Sequence, residues 1–303
     1  MIDLSVNIAG VKFNNPVIMA SGTYGFGKEY GEYIDLNKLG GISVKGLTLL
    51  ERKGNPPPRI AETPSGILNS VGLQNPGVQV FKQQYMPFLK GYDTRVIANI
   101  AGNTIEDYCE MAEILGDSGV DAIELNVSCP NVKAGCLAFG TTPQGIAEIT
   151  RSVKKYCKQP LIVKLTPNVA DIKSIAKAAE GEGADAVSLI NTLLGMAIDI
   201  HKKKPVLANN FGGLSGPAVK PVAVRMVYEV ANTVKIPVIG MGGIATAEDA
   251  IEFLLAGASA IMVGTANFVD PLVPEKIING IVEYLKQNNY NNIYSVIGKL
   301  EMN

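Results

Sequence analysis

The chain has 303 residues, 47% hydrophobic and 18% charged, with a formal net charge of −1, and its mean hydropathy of +0.18 suits a well-buried globular protein. Its densest basic run is Lys202–Lys204, which argues against nucleic acid as the main partner because phosphate neutralisation needs a basic face. With four cysteines and a single histidine, His201, a disulfide scaffold, a zinc site and a Ser-His-Asp triad are all disfavoured.

Met1–Gly10 has no positive n-region or long apolar h-region, and nowhere are about 18 apolar residues consecutive, so neither a signal peptide nor a membrane span is expected. The expectation is one domain over residues 1–303, in a reducing cytoplasm. Leu4–Ile8 and Val11–Phe13 alternate around Ala9-Gly10 and predict a short hairpin. Pro16–Ala20, ending in Ser21-Gly22, is the first expected barrel strand. Gly40–Leu47, carrying Lys45-Gly46, is the second. Glu51–Gly77 is proline-rich and reads as a long irregular stretch; such loops are functional or disordered as a rule, and Asn69–Leu73 is too apolar for plain disorder.

Arg95–Ile100 reads as the third strand. Thr104–Leu115 places Ile105, Tyr108, Cys109, Ala112 and Leu115 on one helical face, behind a start, Thr104-Ile-Glu-Asp107, that resembles a capping box with Asp for Glu or Gln. Ile123–Val127 is the fourth strand, ended near Pro130, which has no N–H to give a central ladder. A helix over Thr142–Tyr156 follows, then the strand Leu161–Leu165 with Lys164, the helix Ile172–Glu180, and the strand Ala186–Ile190 running into Asn191-Thr192. Leu193–Gly216 reads as an irregular insertion before a helix over Val219–Thr233. The last two strands are Pro237–Gly240, leading to Met241-Gly-Gly243, and Ala260–Val263, leading to Gly264-Thr265. Between them lies the helix Thr246–Leu255, opened by Thr246-Ala-Glu-Asp249, and Glu275–Leu285 closes the chain as a helix.

Eight apolar strands, most separated by helices, call for parallel pairing with right-handed crossovers. The expected fold is an α/β (β/α)8 barrel with an N-terminal hairpin and inserted loops over the C-terminal face. A doubly wound sheet is the alternative, weakened by the lack of a Gly-x-Gly-x-x-Gly turn after the first strand.

In such a barrel the C-terminal strand ends build the active site. Ser21, Lys45, Asn99, Asn126, Lys164, Asn191 and Thr192 all fall at or near those ends and are expected to converge. A buried ammonium needs a partner, so Lys45 and Lys164 either face a bound anion, the preferred reading, or pair with a barrel carboxylate such as Glu124. Glycine in the last two strand-end loops lets backbone N–H groups approach a phosphate, of a nucleotide or equally of a sugar. Cys129, just past a strand end and with no histidine near it in sequence, is either an inert thiol or a base acting as thiolate. Cys109 and Cys157 fall on helices and read as structural, Cys136 is ambiguous, and His201 reads as a solvated loop residue.

At Asn126-Val-Ser-Cys-Pro-Asn131, together with Asn69-Ser-Val-Gly-Leu-Gln-Asn-Pro-Gly77, the chain resembles the dihydroorotate dehydrogenases. The likeness runs from Val17-Ile-Met-Ala-Ser-Gly22 to Val263-Gly-Thr-Ala-Asn-Phe268. Cysteine in the strand-end motif is similar to class 1; class 2 has serine there and an N-terminal membrane extension. Asn126-Val-Ser-Cys-Pro-Asn-Val-Lys133, Gly212-Gly-Leu-Ser-Gly-Pro217 and Ile239-Gly-Met-Gly-Gly243 look like type 1B, the NAD-linked catalytic subunit. Ala134-Gly-Cys136 departs from the polar residue and two glycines expected there.

The resemblance implies an FMN barrel that oxidises dihydroorotate to orotate in de novo pyrimidine biosynthesis. Cys129 would take the C5 proton while the C6 hydride goes to flavin N5. It assigns Ser21, Lys45, Gly46, Asn99, Asn126, Lys164, Ile190, Gly216, Gly242, Gly243, Gly264 and Thr265 to the cofactor. Lys45, Asn69, Ser70, Val71, Gly72, Leu73, Asn126, Asn191 and Thr192 would hold the substrate. Lys164 would stabilise negative charge on the reduced flavin. No metal is expected. The chain has no four-cysteine iron–sulfur pattern and no dinucleotide fingerprint, so the resemblance implies a partner subunit carrying FAD and a 2Fe–2S cluster, in a heterotetramer around a catalytic homodimer. The rivals are a fumarate-linked type 1A enzyme, an FMN barrel acting on dihydrouracil, and a non-redox phosphate-binding lyase or isomerase.

Overall fold

The computed structural model describes residues 2–127 and 139–303. Eight strands, Val17–Met19, Gly41–Ser43, Arg95–Ile100, Ala122–Asn126, Leu161–Lys164, Ala186–Leu189, Val238–Met241 and Ala260–Val263, close into one barrel in chain order. Every neighbouring pair is parallel. The expected barrel is therefore present, and the doubly wound alternative is excluded because the sheet has no open edge. Apart from Arg95 every barrel-strand residue is buried. That follows from side chains filling the inside while helices cover the outside, and it is why the strands read as continuous apolar runs.

Helices Ile105–Leu115, Pro143–Lys154, Ile172–Gly181, Lys220–Ala231, Ala247–Leu255 and Val273–Gln287 supply crossovers and the closing layer. The expected capping box of Thr104 with Asp107 forms, and Thr246 with Asp249 makes a second, each side chain bonding the other residue's backbone N–H. These fix where two helices start, directly after strand-end loops. Residues 78–89 are also helical, with a π turn at Phe81–Tyr85, a crossover the sequence pattern did not single out.

Two stretches expected to be irregular are not. Glu51–Gly77 contains the hairpin Ile60–Thr63 and Gly66–Asn69, and Leu193–Gly216 contains Leu193–Gly195 and Gly212–Ser215. Together they form a four-stranded antiparallel sheet in which Gly213 lies opposite Asn69. The pairing partners are far apart in sequence, and the strands are too short and glycine-rich to show alternation. The glycines are there because backbones meet: a Cβ on Gly66 would lie 2.1 Å from Ser215 O. A further small ribbon pairs Ile198–Asp199 with Lys204–Pro205, and the expected N-terminal hairpin pairs Val6–Ile8 with Val11–Phe13. Phe13 packs against Gly41, where the second barrel strand begins, so the hairpin sits at the end of the barrel opposite the strand C-termini. Among the described residues no helix is long and apolar enough to cross a membrane.

Candidate active site

A cavity of about 760 Å³ opens at the C-terminal strand ends, roofed by the four-stranded sheet. Ser21, Lys45, Gly46, Asn69, Val71, Gly72, Leu73, Asn99, Asn126, Lys164, Ile190, Asn191, Thr192, Gly216, Gly242, Gly243, Gly264 and Thr265 all line it. The structure thus brings together every described residue assigned to cofactor or substrate except Ser70. That residue is 1% exposed and stands outside the lining. Alternate residues of an extended segment face opposite ways, so Asn69 and Val71 reach the cavity while Ser70 is turned into the wall. There its N–H donates to Arg59 O at 2.8 Å and its carbonyl accepts from Asn55 Nδ2 at 2.8 Å. Its side chain thus stands apart from the lining that its motif neighbours share. Cys129 and Cys136 lie outside the described residues, as does Pro130.

One wall is made of polar side chains on the third to sixth barrel strands. Glu124, fully buried, accepts from Ser43 Oγ at 2.9 Å, Asn99 Nδ2 at 2.5 Å and Ser188 Oγ at 2.7 Å. Lys164 Nζ lies 3.9 Å from the Glu124 carboxylate and donates to Ser21 Oγ at 3.3 Å. Of the two readings of this lysine, the carboxylate partner is present, and the side chain also lines the cavity. With only 4% of Lys164 exposed, a separated ammonium would be expensive, so Glu124 is what allows a positive charge there. Lys45 is half-buried, its N–H bonded to Gly25 O at 2.9 Å and its ammonium beside Gly22. Asn126 Nδ2 donates to Asn99 Oδ1 and Asn191 Nδ2 to Asn126 Oδ1, each at 3.4 Å. Tyr108, from the helix behind, anchors Asn126 by donating its hydroxyl to the Asn126 carbonyl at 2.9 Å.

The opposite wall is main chain. Gly216, Gly242, Gly243, Gly264 and Thr265 bring three loops together, tied by a 2.8 Å bond from Thr265 Oγ1 to Ser215 Oγ. Gly243 has φ +81°, and a Cβ there would meet Lys220 N at 2.9 Å and Gly216 O at 3.0 Å, so no other residue fits without displacing the neighbouring loop. The backbone N–H groups of Gly242, Gly243, Gly264 and Thr265 have no acceptor among the described residues. Lys220 supports this wall from behind, bonded to Asp249 at 2.6 Å and Glu252 at 2.7 Å. Those carboxylates hold its ammonium above its ordinary value. Burial pushes the Asp249 carboxyl up, but the bonds it accepts from Lys220, Ala245 N and Thr246 N outweigh that and leave it below the usual carboxylate range.

The profile of the family described as dihydroorotate dehydrogenase matches residues 3–285. The chain belongs to that family. A protein of Alkaliphilus metalliredigens, "Dihydroorotate dehydrogenase B (NAD(+)), catalytic subunit", is 62% identical over 299 residues, 99% of each chain. Proteins of the same name are 58% identical over 99% of this chain and 100% of theirs in Thermoanaerobacter pseudethanolicus, and 55% identical over the full length of both in Bacteroides fragilis. A crystal structure of the Eimeria tenella dihydroorotate dehydrogenase in complex with ferulenol superposes with a TM-score of 0.84 at 23% identity, over 98% of this chain and 88% of that one. It bears out the fold.

Within this family member the sequence reading missed part of the site. Ser215 and the sheet residues Ile60, Ile67 and Leu214 also line the cavity. Ser215 stands in Gly212-Gly-Leu-Ser-Gly-Pro217, so the motif was visible while the side chain's place was not. Ser43 and Ser188, which satisfy Glu124, carried no signal: each is one small polar residue inside an apolar strand. The two remaining described cysteines are partly buried. Burial pushes the thiol of Cys109 up, and that of Cys157 up to about 12, so both stay protonated at neutral pH. His201 is exposed in the turn between the two strands of the small ribbon, as expected.

Proposed function

We propose that this chain is the catalytic subunit of an NAD-linked dihydroorotate dehydrogenase, which oxidises dihydroorotate to orotate with FMN as its resident cofactor. The observation that carries the reading is one cavity shared by two lysines, a line of amides and a glycine-built wall whose N–H donors have no acceptor among the described residues.

FMN suits these walls. A phosphate needs converging donors and no side chains in the way, which the amides of Gly242, Gly243, Gly264 and Thr265 supply. A ring system that gains negative charge needs a fixed cation, and Lys164, held by Glu124 and Ser21, is one. Bound there, FMN supplies the acceptor for the hydride from C6 of dihydroorotate. Cys129 takes the C5 proton as thiolate, so that one proton and one hydride leave and the C5–C6 double bond of orotate forms. Lys45 holds negative charge of the substrate and orients it against the cofactor. Asn69, Asn126, Asn191 and Thr192 bind the substrate's polar edges, and Val71, Gly72 and Leu73 close one side of it. Passage of the electrons onward to NAD requires a second polypeptide, proposed to carry FAD and a 2Fe–2S cluster on a catalytic homodimer, in the cytoplasm.

Anaerobic titration of the purified chain with dihydroorotate tests this. The expected result is a yellow protein whose visible absorption bleaches with stoichiometric substrate. A colourless protein that takes up no FMN, or a yellow one that dihydroorotate leaves oxidised, would sink the proposal.

A further inference from the structure

Glu124 stands behind the cavity lining, yet its chemistry decides how the cavity's line of amides is oriented. An amide side chain has one accepting and one donating end, and only its neighbours decide which way round it sits. An ionised carboxylate can only accept. Asn99 must therefore turn Nδ2 toward Glu124, which it does at 2.5 Å, and this leaves Oδ1 facing Asn126. Asn126 then presents Nδ2 to Asn99 and Oδ1 to Asn191, and Asn191 presents Nδ2 to Asn126. The far end closes the argument independently, because the Thr192 backbone N–H can only donate, and it donates to Asn191 Oδ1 at 2.8 Å. An acceptor-only group at one end and a donor-only group at the other impose the same direction on three amides, two on barrel strands and one just past the end of a third.

We infer that Glu124 is a positioning residue: through Asn99 it sets which edge of Asn126 and Asn191 acts as donor and which as acceptor toward the substrate. This rests on the proposed function for its consequence, orotate binding, but not for its geometry. The carboxylate's other contacts make it a fixed anchor. Ser43 and Ser188 each donate to it from other strands, and Lys164 lies 3.9 Å away, so Glu124 cannot turn to accommodate a reversed amide.

Four proteins test the direction of the line: wild type, Glu124→Gln, Asn191→Asp, and the two combined. All changes are isosteric. Asn191→Asp keeps an acceptor for the Thr192 N–H but sets a second acceptor against Asn126 Oδ1, so alone it should lower Tm. In the double variant the amide introduced at position 124 can donate to Asn99, and the line can reverse as far as the carboxylate at position 191. The expected result is that Glu124→Gln restores part of the Tm lost in Asn191→Asp, although the two residues are separated by two amides. Additive losses would overturn the inference.

The functional arm uses Glu124→Leu, with orotate affinity read from the visible spectrum of the flavin. The expectation is about tenfold weaker orotate, as for misdirected hydrogen bonds, with flavin retained and with Glu124→Gln within about threefold of wild type. Wild-type orotate affinity in Glu124→Leu would also overturn it. Should the leucine variant not fold, the isosteric cycle decides alone. A wild-type chain without flavin would defeat the proposed function instead, while the Tm cycle would still report on the line.

Discussion

At Met241–Gly243 and Gly264–Thr265 the cavity wall is main chain, and across from it, at Asn99, Asn126, Lys164 and Asn191, it is side chain. The main-chain wall offers N–H donors that no substitution can delete but any added Cβ can displace, as at Gly243. The side-chain wall is the reverse. It tolerates changes of bulk better than changes of donor, acceptor or charge, because its buried groups are already committed to one another around Glu124. A ligand held by both would lose binding on one side through shape and on the other through electrostatics.

The largest expected effect falls on neither wall. Cys129→Ser should slow flavin reduction by dihydroorotate roughly 10²-fold or more near pH 7, the span of general-base catalysis, since a hydroxyl is a far poorer base than a thiolate. Stopped-flow reduction with FMN content measured in parallel is the check: both walls should keep their ligands. An unchanged single-turnover rate would remove Cys129 from the chemistry. Next comes Lys164→Ala, which strips Glu124 of its counter-charge. Removing one partner of a buried pair typically costs roughly 3–5 kcal/mol, and the flavin should also bind less tightly or show a lower reduction potential. Denaturant unfolding and a dye-coupled potential measurement read the two parts separately. Wild-type values in both would show that the ammonium contributes nothing to this wall.

Gly243→Ala is the matching break on the main-chain side. A non-glycine residue at φ +81° with a Cβ pressed on Lys220 N and Gly216 O carries strain of roughly 1–3 kcal/mol. It should appear as loss of FMN from the purified protein, with orotate affinity in FMN-reconstituted samples nearly unchanged. If instead orotate weakens as much as FMN, the two walls are not separable in the way their construction suggests.

How much of this was legible in the sequence also divides along the two walls. The glycine loops could be read directly, because Met241-Gly-Gly243 and Gly264-Thr265 directly follow apolar strands. Asn99, Asn126, Lys164 and Asn191 were legible as polar residues where a buried strand ends. Their partners were not. Glu124 is satisfied by Ser43 and Ser188, 81 and 64 residues away in sequence, and no local pattern encodes a contact across the inside of a barrel. The roof escaped for a related reason. Gly212–Ser215 is a strand because Leu193–Gly195 and Gly66–Asn69 pair with it on either side, and proline and glycine in these stretches hide the period of two. Ser70 stands apart from its motif neighbours because the extended backbone on either side of it turns alternate residues apart.

The smallest expected effect lies behind the main-chain wall, at Asp249. Its carboxylate accepts from Ala245 and Thr246 N–H at 2.9 Å each and from Lys220 at 2.6 Å, so it caps a helix and fixes the lysine whose backbone abuts Gly243. Because its pKa in the folded chain lies below the ordinary 3.8, its contribution is present in full above that value and is lost as pH falls through the lower folded one. Asp249→Asn should therefore destabilise the protein by about 1 kcal/mol at pH 7, in the range of a lost cap, and the gap to wild type should close as the pH falls below the ordinary carboxylate range. Tm measured across that window decides it. A gap that persists at the acid end would mean that Asp249 acts through the shape of the cap and not through its charge. Lys220 would then owe its position to Glu252, and the electrostatic support behind the main-chain wall would come from that carboxylate alone.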